Sequence, residues 1–407
     1  MQAAAMRIMQ QQYRHAGGTS IVKRICFMMA GALLAACSTT MPQGTTPDTA
    51  NVETFDNIGT GSVKVALLLP MSATGNAGKT ATALKQAAEL ALFEFNNPDI
   101  LLIPKDTQGT AQGAAAAAQQ AVAEGAELIV GPLFSHSVAA VGPIARQANI
   151  PVIAFSTDSN VAGRGVYLLS FLPQEDVAQI VAFAAGKGKR SFAGLVPETA
   201  YGTLVESALR QAAATQRAAV IGVEKYPLDR QAMIEPAKRL AQAAVAQNAD
   251  AILIPDGPAV LPSLAPLLTL NGLKTSQVKL LGSGQWDDPA VGREPTVVGG
   301  WYAAPDPKGW NSFVTRYQAT FGAEPPRIAT LAYDAVSLAA ALARQPQGQR
   351  FTEATLTNSS GFNGVDGIFR FTANGLNQRG LAIHEVQSGG GSKVIAAAPK
   401  SFAARSF

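Results

Sequence analysis

Residues 128–138 read LIVGPLFSHSV, which sets Ser135 beside His136 and Ser137. A serine next to a histidine is the raw material of a nucleophile with its base. The spacing argues against that use. Neighbouring residues at a helix start diverge by about 100° around the axis, so their side chains do not meet. Other reactive residue types are sparse. Of three histidines, His15 lies near the N-terminus, and His136 and His384 are far apart. Both cysteines, Cys26 and Cys37, also lie near the N-terminus. Structural zinc takes about four such ligands, so no metal site and no cofactor is expected. P-loop, GxSxG and HExxH patterns are absent. Ser276–Lys279 (SQVK) matches SxxK, but at a helix-to-strand turn, the wrong setting for a nucleophile that opens a helix. The chain is expected not to be an enzyme.

The remaining polar residues share a location. From Val63 onward, buried-strand runs such as VKVALLLP, ILLIP, AELIVG and IPVIAFS alternate with amphipathic stretches such as Thr80–Phe95 and Thr110–Glu124. A second series follows from Gln174, with SFAGLVP, AAVIGVEKY, DAILIPD and VKLLGSG as strands. Such alternation predicts parallel sheets covered by helices on both faces. The fold class is α/β, with two Rossmann-like lobes whose parallel sheets are joined by crossover strands. The first lobe is expected over 63–170 plus about 325–345, the second over 171–305 plus about 360–398. Crossovers are expected near Leu168–Pro173 and at Gly299–Pro305. Gly364–Val386 reads as a strand, a turn at Asn374-Gly375 and a second strand.

Open α/β sheets bind ligands beyond the carboxyl ends of their strands. In the first lobe those ends carry Ser72, Asp106, Ser135, Ser137, Ser156, Thr157 and Asp158. In the second they carry Tyr201, Asp256, Gln285 and Trp286. These are the candidate ligand-binding residues, lining a cleft between lobes. Each has a plainer alternative: Ser, Thr and Asp after a strand commonly cap helices, and Tyr201 and Trp286 can serve packing.

The N-terminal stretch explains the charge. The net charge is +4, yet residues 1–36 hold Arg7, Arg14, Lys23 and Arg24 and no acid. Removing those 4 from 32 bases leaves 28 against 28 acids. A neutral body offers no electrostatic support for nucleic-acid binding. Ile25–Ala36 is a 12-residue apolar run after Lys23-Arg24. That is too short to span a membrane and right for a signal-peptide core. The run ends Leu34-Ala35-Ala36-Cys37, which resembles a bacterial lipobox. The resemblance implies a signal peptide over 1–36, lipidation at Cys37, and a lipid-anchored tether over 37–62. With Ser38 following, it implies a place in the cell envelope, facing the periplasm, at the outer membrane.

The body resembles type-1 periplasmic binding proteins of the Leu/Ile/Val-binding class, with their Venus-flytrap form. The residues carrying this are VALLLPMSATG, AEGAELIVGPLFSHSVAAVGPIARQANIPVIAFSTDSNV, PETAYG, YDAVSLAAAL and GVDGIFRFTANG. Within the class, the lipobox and IAFSTDSNV are most similar to penicillin-binding-protein-activator lipoproteins. By resemblance, Ser135 matches a serine that grips a ligand carboxylate, Ser156 to Asp158 match assisting groups, and Tyr201 matches a closing tyrosine. Relatives hold the ligand ammonium with an acid where this chain has Gly282-Ser283-Gly284-Gln285, with Asp287 and Asp288 a few residues later. A buried ammonium without a counter-charge is costly. The resemblance therefore implies a non-enzymatic envelope lipoprotein that regulates peptidoglycan synthesis by contact with a peptidoglycan synthase (a penicillin-binding protein). The alternative is a lipid-anchored solute-binding protein that delivers a small amino-acid-like or amide ligand to an ABC importer.

Overall fold

The computed structural model describes residues 56–402. The expected signal peptide, Cys37 and most of the expected tether lie outside the described residues.

The first lobe is laid down by β1 (Val63–Leu69), α1 (Gly75–Glu94), β2 (Ile100–Asp106), α2 (Ala111–Ala123), β3 (Leu128–Val130), α3 (Ser135–Gln147), β4 (Val152–Ala154) and β5 (Val166–Leu168). The strands form one parallel sheet in the order β2-β1-β3-β4-β5. Every residue of β1 except Lys64 is buried, as expected of a strand covered on both faces. Alanines supply much of the facing surface: Ala87, Ala88 and Ala91 of α1 on one side, Ala114, Ala117 and Ala121 of α2 on the other. Helix α1 begins at Gly75, five residues before the apolar periodicity becomes visible at Thr80.

The second lobe runs through α4 (Pro173–Gly186), β6 (Ser191–Pro197), α5 (Ala200–Thr215), β7 (Ala219–Tyr226), α6 (Ile234–Ala246), β8 (Ala251–Leu253), α7 (Leu261–Leu270), β9 (Lys279–Gly282) and β10 (Trp301–Ala304). The chain then returns to the first lobe as α8 (Pro307–Phe321) and α9 (Ala329–Ala343), whose Phe313, Tyr317, Leu331 and Ala335 share a core with α1. After α10 (Glu353–Leu356) come β11 (Phe362–Gly364), β12 (Gly367–Phe371), β13 (Asn377–Arg379), β14 (Ala382–Val386) and β15 (Ser392–Ala396). The second sheet has the order β15-β14-β10-β9-β8-β6-β7. Its last two strands in sequence pair antiparallel and the rest parallel.

Three sequence expectations need correction. The tether does not run to Ser62. Ile58 pairs antiparallel with Leu102 on the free edge of β2, with N–O distances of 3.0 and 2.9 Å. Asp99 then accepts from Ser62 N (2.6 Å) and Ser62 Oγ (2.8 Å). A covered edge cannot recruit another chain. Polar composition alone suggested coil; what holds the segment is backbone pairing, which composition does not report. Second, Gly299–Pro305 is not itself a crossover, because Trp301–Ala304 is a strand paired with β9, and the crossing begins at Pro305. Third, 360–398 does not belong wholly to the second lobe. Strands β11, β12 and β13 form their own antiparallel sheet, and Phe369 and Phe371 are buried in the first lobe's core, Phe371 against Tyr167. Only β14 and β15 join the second sheet.

The chain thus passes between lobes three times: at Leu169–Leu172, at Pro305-Asp306 and at Gly380-Leu381. Hydrogen bonds tie these passages together. Asn377 Nδ2 donates to Ser170 O (3.0 Å), and Gln179 Nε2 to Arg379 O (2.9 Å).

Candidate functional site

A cavity of about 550 Å³ lies where the lobes face each other beside these crossings. Thr157 enters it from the end of β4, Trp310 from the first turn of α8, and Arg327 from the loop before α9. Phe171 and Pro305 come from the crossings, and Pro173 opens α4. The second lobe supplies Asp176, Tyr201, Ser283, Gly284, Gln285 and Asp287.

The second-lobe wall is fixed by a small network. Ser283 Oγ donates to Pro255 O (2.6 Å) and accepts from Gln285 N (3.1 Å). Tyr201, placed at the start of α5 by the Thr199 cap, lies 3.3 Å through its hydroxyl from both Pro255 O and Ser283 Oγ. Asp176, in the first turn of α4, accepts from Gly284 N at 3.0 Å. Trp286 turns away from the cavity. It is 1% exposed, and its Nε1 donates to Asp256 O at 3.0 Å. Gly282 and Gly300 make room for the ring: a Cβ at Gly282 would sit 2.1 Å from Trp286 Cδ2.

Charge is divided between the walls. Burial pushes the Asp176 carboxyl up to about 7, against the opposing bond from Gly284 N–H. Asp287 opens to the cleft, yet the surrounding protein raises its carboxyl too, with His384 and Arg327 pulling the other way. Burial lifts the Tyr201 phenol to about 12, so it is a neutral donor at physiological pH. Opposite stands the Arg327 guanidinium, 5.1 Å from the Phe171 ring centre and 4.7 Å from that of Trp310. Its Nη1 lies 2.5 Å from Asp366 Oδ1.

Residues 62–391 match the periplasmic binding protein family along one stretch. The chain belongs to that family. Among curated relatives, Leu/Ile/Val-binding protein homolog 6 of Brucella melitensis biotype 1 is 28% identical over 195 residues. The match covers 46% of this chain and 49% of that protein, so it spans about half the length of the curated relatives. Among solved structures, a protein assigned to a branched-chain amino acid ABC transporter of Rhodospirillum rubrum superposes with a TM-score of 0.72 at 21% identity. It is matched over 82% of this chain and 99% of its own. An ABC transporter substrate-binding protein of Desulfitobacterium hafniense, solved in complex with Leu, gives a TM-score of 0.59 at 19% identity, over 81% and 99% of the two chains. At such identities the structural likeness speaks to fold: this is a type-1 periplasmic binding protein.

In this periplasmic binding protein, Thr157, Tyr201 and Gln285 line the cavity together. The other sequence-predicted candidates do not. Ser137 is fully buried, 3.4 Å from Thr110 O. Ser135 opens α3 but makes no side-chain cap; Phe134 is the N-cap. His136 does not serve Ser135. Its Nε2 lies 2.9 Å from Gly109 O and its ring stacks on Phe134. Ser156 and Asp158 hold the turn after β4: Ser156 Oγ accepts from Asp158 N (3.1 Å) and Asp158 caps Asn160 N (3.0 Å). Asp106 accepts from Ser72 N (3.3 Å) and Gln108 N (2.8 Å), which joins the ends of β1 and β2. Asp256 is engaged by the Tyr226 hydroxyl, and Trp286 is core.

The residues missed are Asp176, Asp287, Arg327, Phe171 and Trp310. Phe171 is on a crossing, Asp176 in the first turn of α4, Trp310 on α8 and Arg327 in the loop before α9, all away from strand ends, while Asp287 stands just past the predicted Gln285-Trp286. One signal was available. Glu175-Asp176 follows the first crossing at once, where a helix N-terminus must face the cleft.

Proposed function

We propose that this protein is a non-enzymatic solute receptor whose interlobe cavity takes a small amino-acid-like ligand and presents it to an ABC importer. One observation carries the reading: the cavity draws its lining from both lobes and the crossings, and sets carboxylates against a guanidinium. A ligand ammonium at Asp176 and Asp287 would replace lost solvation with a counter-charge, which favours the ionised carboxylates. The relatives described as ABC transporter components, and the one solved with Leu, support the same class.

Regulation of a peptidoglycan synthase by contact is favoured by the lipobox, the tether, the missing acid near Gln285 and the bulk of Trp286, but Trp286 is core. Asp176 and Asp287 supply acids from other positions, so the receptor reading is preferred. Attachment through Cys37 rests on the Leu34–Cys37 motif, and a place at the outer membrane on Ser38 after it. Labelled palmitate incorporated by the wild type and lost in Cys37→Ala would support the attachment.

The test is calorimetric and thermal titration of protein purified without denaturation against the common amino acids and their amides. A ligand at 100 times its Kd should stabilise the fold by about 2.7 kcal/mol. A flat response across all of them would sink the receptor reading.

A further inference from the structure

Among the described residues, Arg327 is the one basic side chain lining the cavity. It sits at the entry to α9, after Pro325-Pro326, and is held on three sides. Phe171 and Trp310 face the guanidinium, and Asp366 meets it through Nη1. Asp366 is fully buried and is fixed in turn by Thr330 Oγ1 at 2.6 Å. A guanidinium has five N–H donors in a rigid fork suited to planar oxyanions. Nη1 and Asp366 Oδ1 lie close without the alignment of a hydrogen bond. Nη1 is buried against Asp366, so the pair fixes the position of Arg327 and leaves its Nε–Nη2 edge for a planar oxyanion.

We infer that Arg327, rather than the serine at the start of α3, is the residue that selects the ligand's carboxylate. This rests on the receptor reading above and adds the polarity of binding. The anionic end of the ligand meets the first-lobe side at Arg327, and its ammonium meets the second-lobe carboxylates Asp176 and Asp287. Ser135 is not part of the cavity wall and has a helix to open. Arg327 has cavity exposure, fixed geometry and charge. Asp366, in the turn between β11 and β12, acts as a positioning residue that aims the Nε–Nη2 edge.

The experiment measures affinity for L-leucine and L-phenylalanine beside their carboxamides, L-leucinamide and L-phenylalaninamide, in four proteins. These are the wild type, Arg327→Lys, Ser135→Ala and the double variant Arg327→Gln/Asp366→Asn. Lysine keeps the charge beside Asp366 but loses the fork. The double variant removes both charges, so no buried carboxylate is stranded if the single change disturbs folding. The expected result is a wild type that prefers at least one acid over its amide by about 10-fold or more. That preference should fall by about 10-fold in Arg327→Lys, approach unity in the double variant, and stay within about 2-fold of wild type in Ser135→Ala. Equal affinity for acid and amide in the wild type would overturn the assignment. So would a preference that survives the Arg327 changes, or one abolished by Ser135→Ala. A wild type that binds none of the four compounds, and gives a flat response across the other common amino acids and their amides, removes the amino-acid receptor reading itself, a distinct failure.

Discussion

Asp176 should trade stability for binding, and Asp176→Asn should reveal the trade. Its carboxyl is raised from an ordinary 3.8 to about 7, chiefly by burial. An acid raised in the folded state adds stability below its unfolded value, and that stability is lost as pH climbs through the folded value. The window is therefore about pH 4 to 7. At 1.36 kcal/mol per pH unit, the limit is about 4 kcal/mol. Asp176 keeps some exposure to the cavity, so roughly half of that, about 2 kcal/mol, is the working figure. Asparagine preserves the shape and can still accept from Gly284 N. At pH 8 the variant should be more stable than wild type by about 2 kcal/mol, a rise of a few degrees in Tm. At pH 4 the two should nearly coincide. Ligands bearing an ammonium should bind the variant about 10-fold or more weakly at pH 8. Urea melts at both pH values, paired with calorimetric titration, measure all three quantities. Equal stability changes at pH 4 and pH 8, or a loss at pH 8, would refute the reasoning, because either would mean that Asp176 is not ionised at a cost.

Trp286→Ala should cost about 3–5 kcal/mol in denaturant melts, since the ring is buried to 1% exposure. Gly282→Ala should also be destabilising, with its new Cβ 2.1 Å from the ring. Deleting residues 56–61 should remove the Ile58–Leu102 pairing and expose the β2 edge. A loss of about 1–2 kcal/mol is expected, with more self-association by light scattering. Ser137→Ala gives up a single 3.4 Å contact, so melts should move by less than about 1 kcal/mol and ligand affinity should not change.

The lobes were legible in the sequence because two-faced burial writes itself as continuous apolar runs. VKVALLL became β1 with only Lys64 not fully buried. The cleft residues were less legible. A hydroxyl or carboxylate after a strand looks the same whether it faces a ligand or ties a turn. Ser156 and Asp158 proved to be turn ties, whereas Thr157 between them reaches the cavity. Arg327 was invisible for another reason: its partners Phe171, Trp310 and Asp366 come from three separate segments. No local pattern encodes such a meeting. The misplaced 362–379 segment has the same origin, since a hairpin's sequence specifies its own pairing but not the core that receives Phe369 and Phe371.

The loop after β9 separates holding from reading. Trp286 anchors it into the second lobe's core between Gly282 and Gly300, while Gln285 and Asp287 on either side present themselves to the cavity. Asp287 also accepts from the buried Tyr302 hydroxyl (3.4 Å), and Gln285 is exposed, so substitution at 285 can alter the cavity wall with least effect on how the loop is held. If the cavity is a receptor site as proposed, its selectivity can drift over evolutionary time at Gln285 while the scaffold stays constant. An experimenter wishing to redirect its specificity would start there and leave the tryptophan alone.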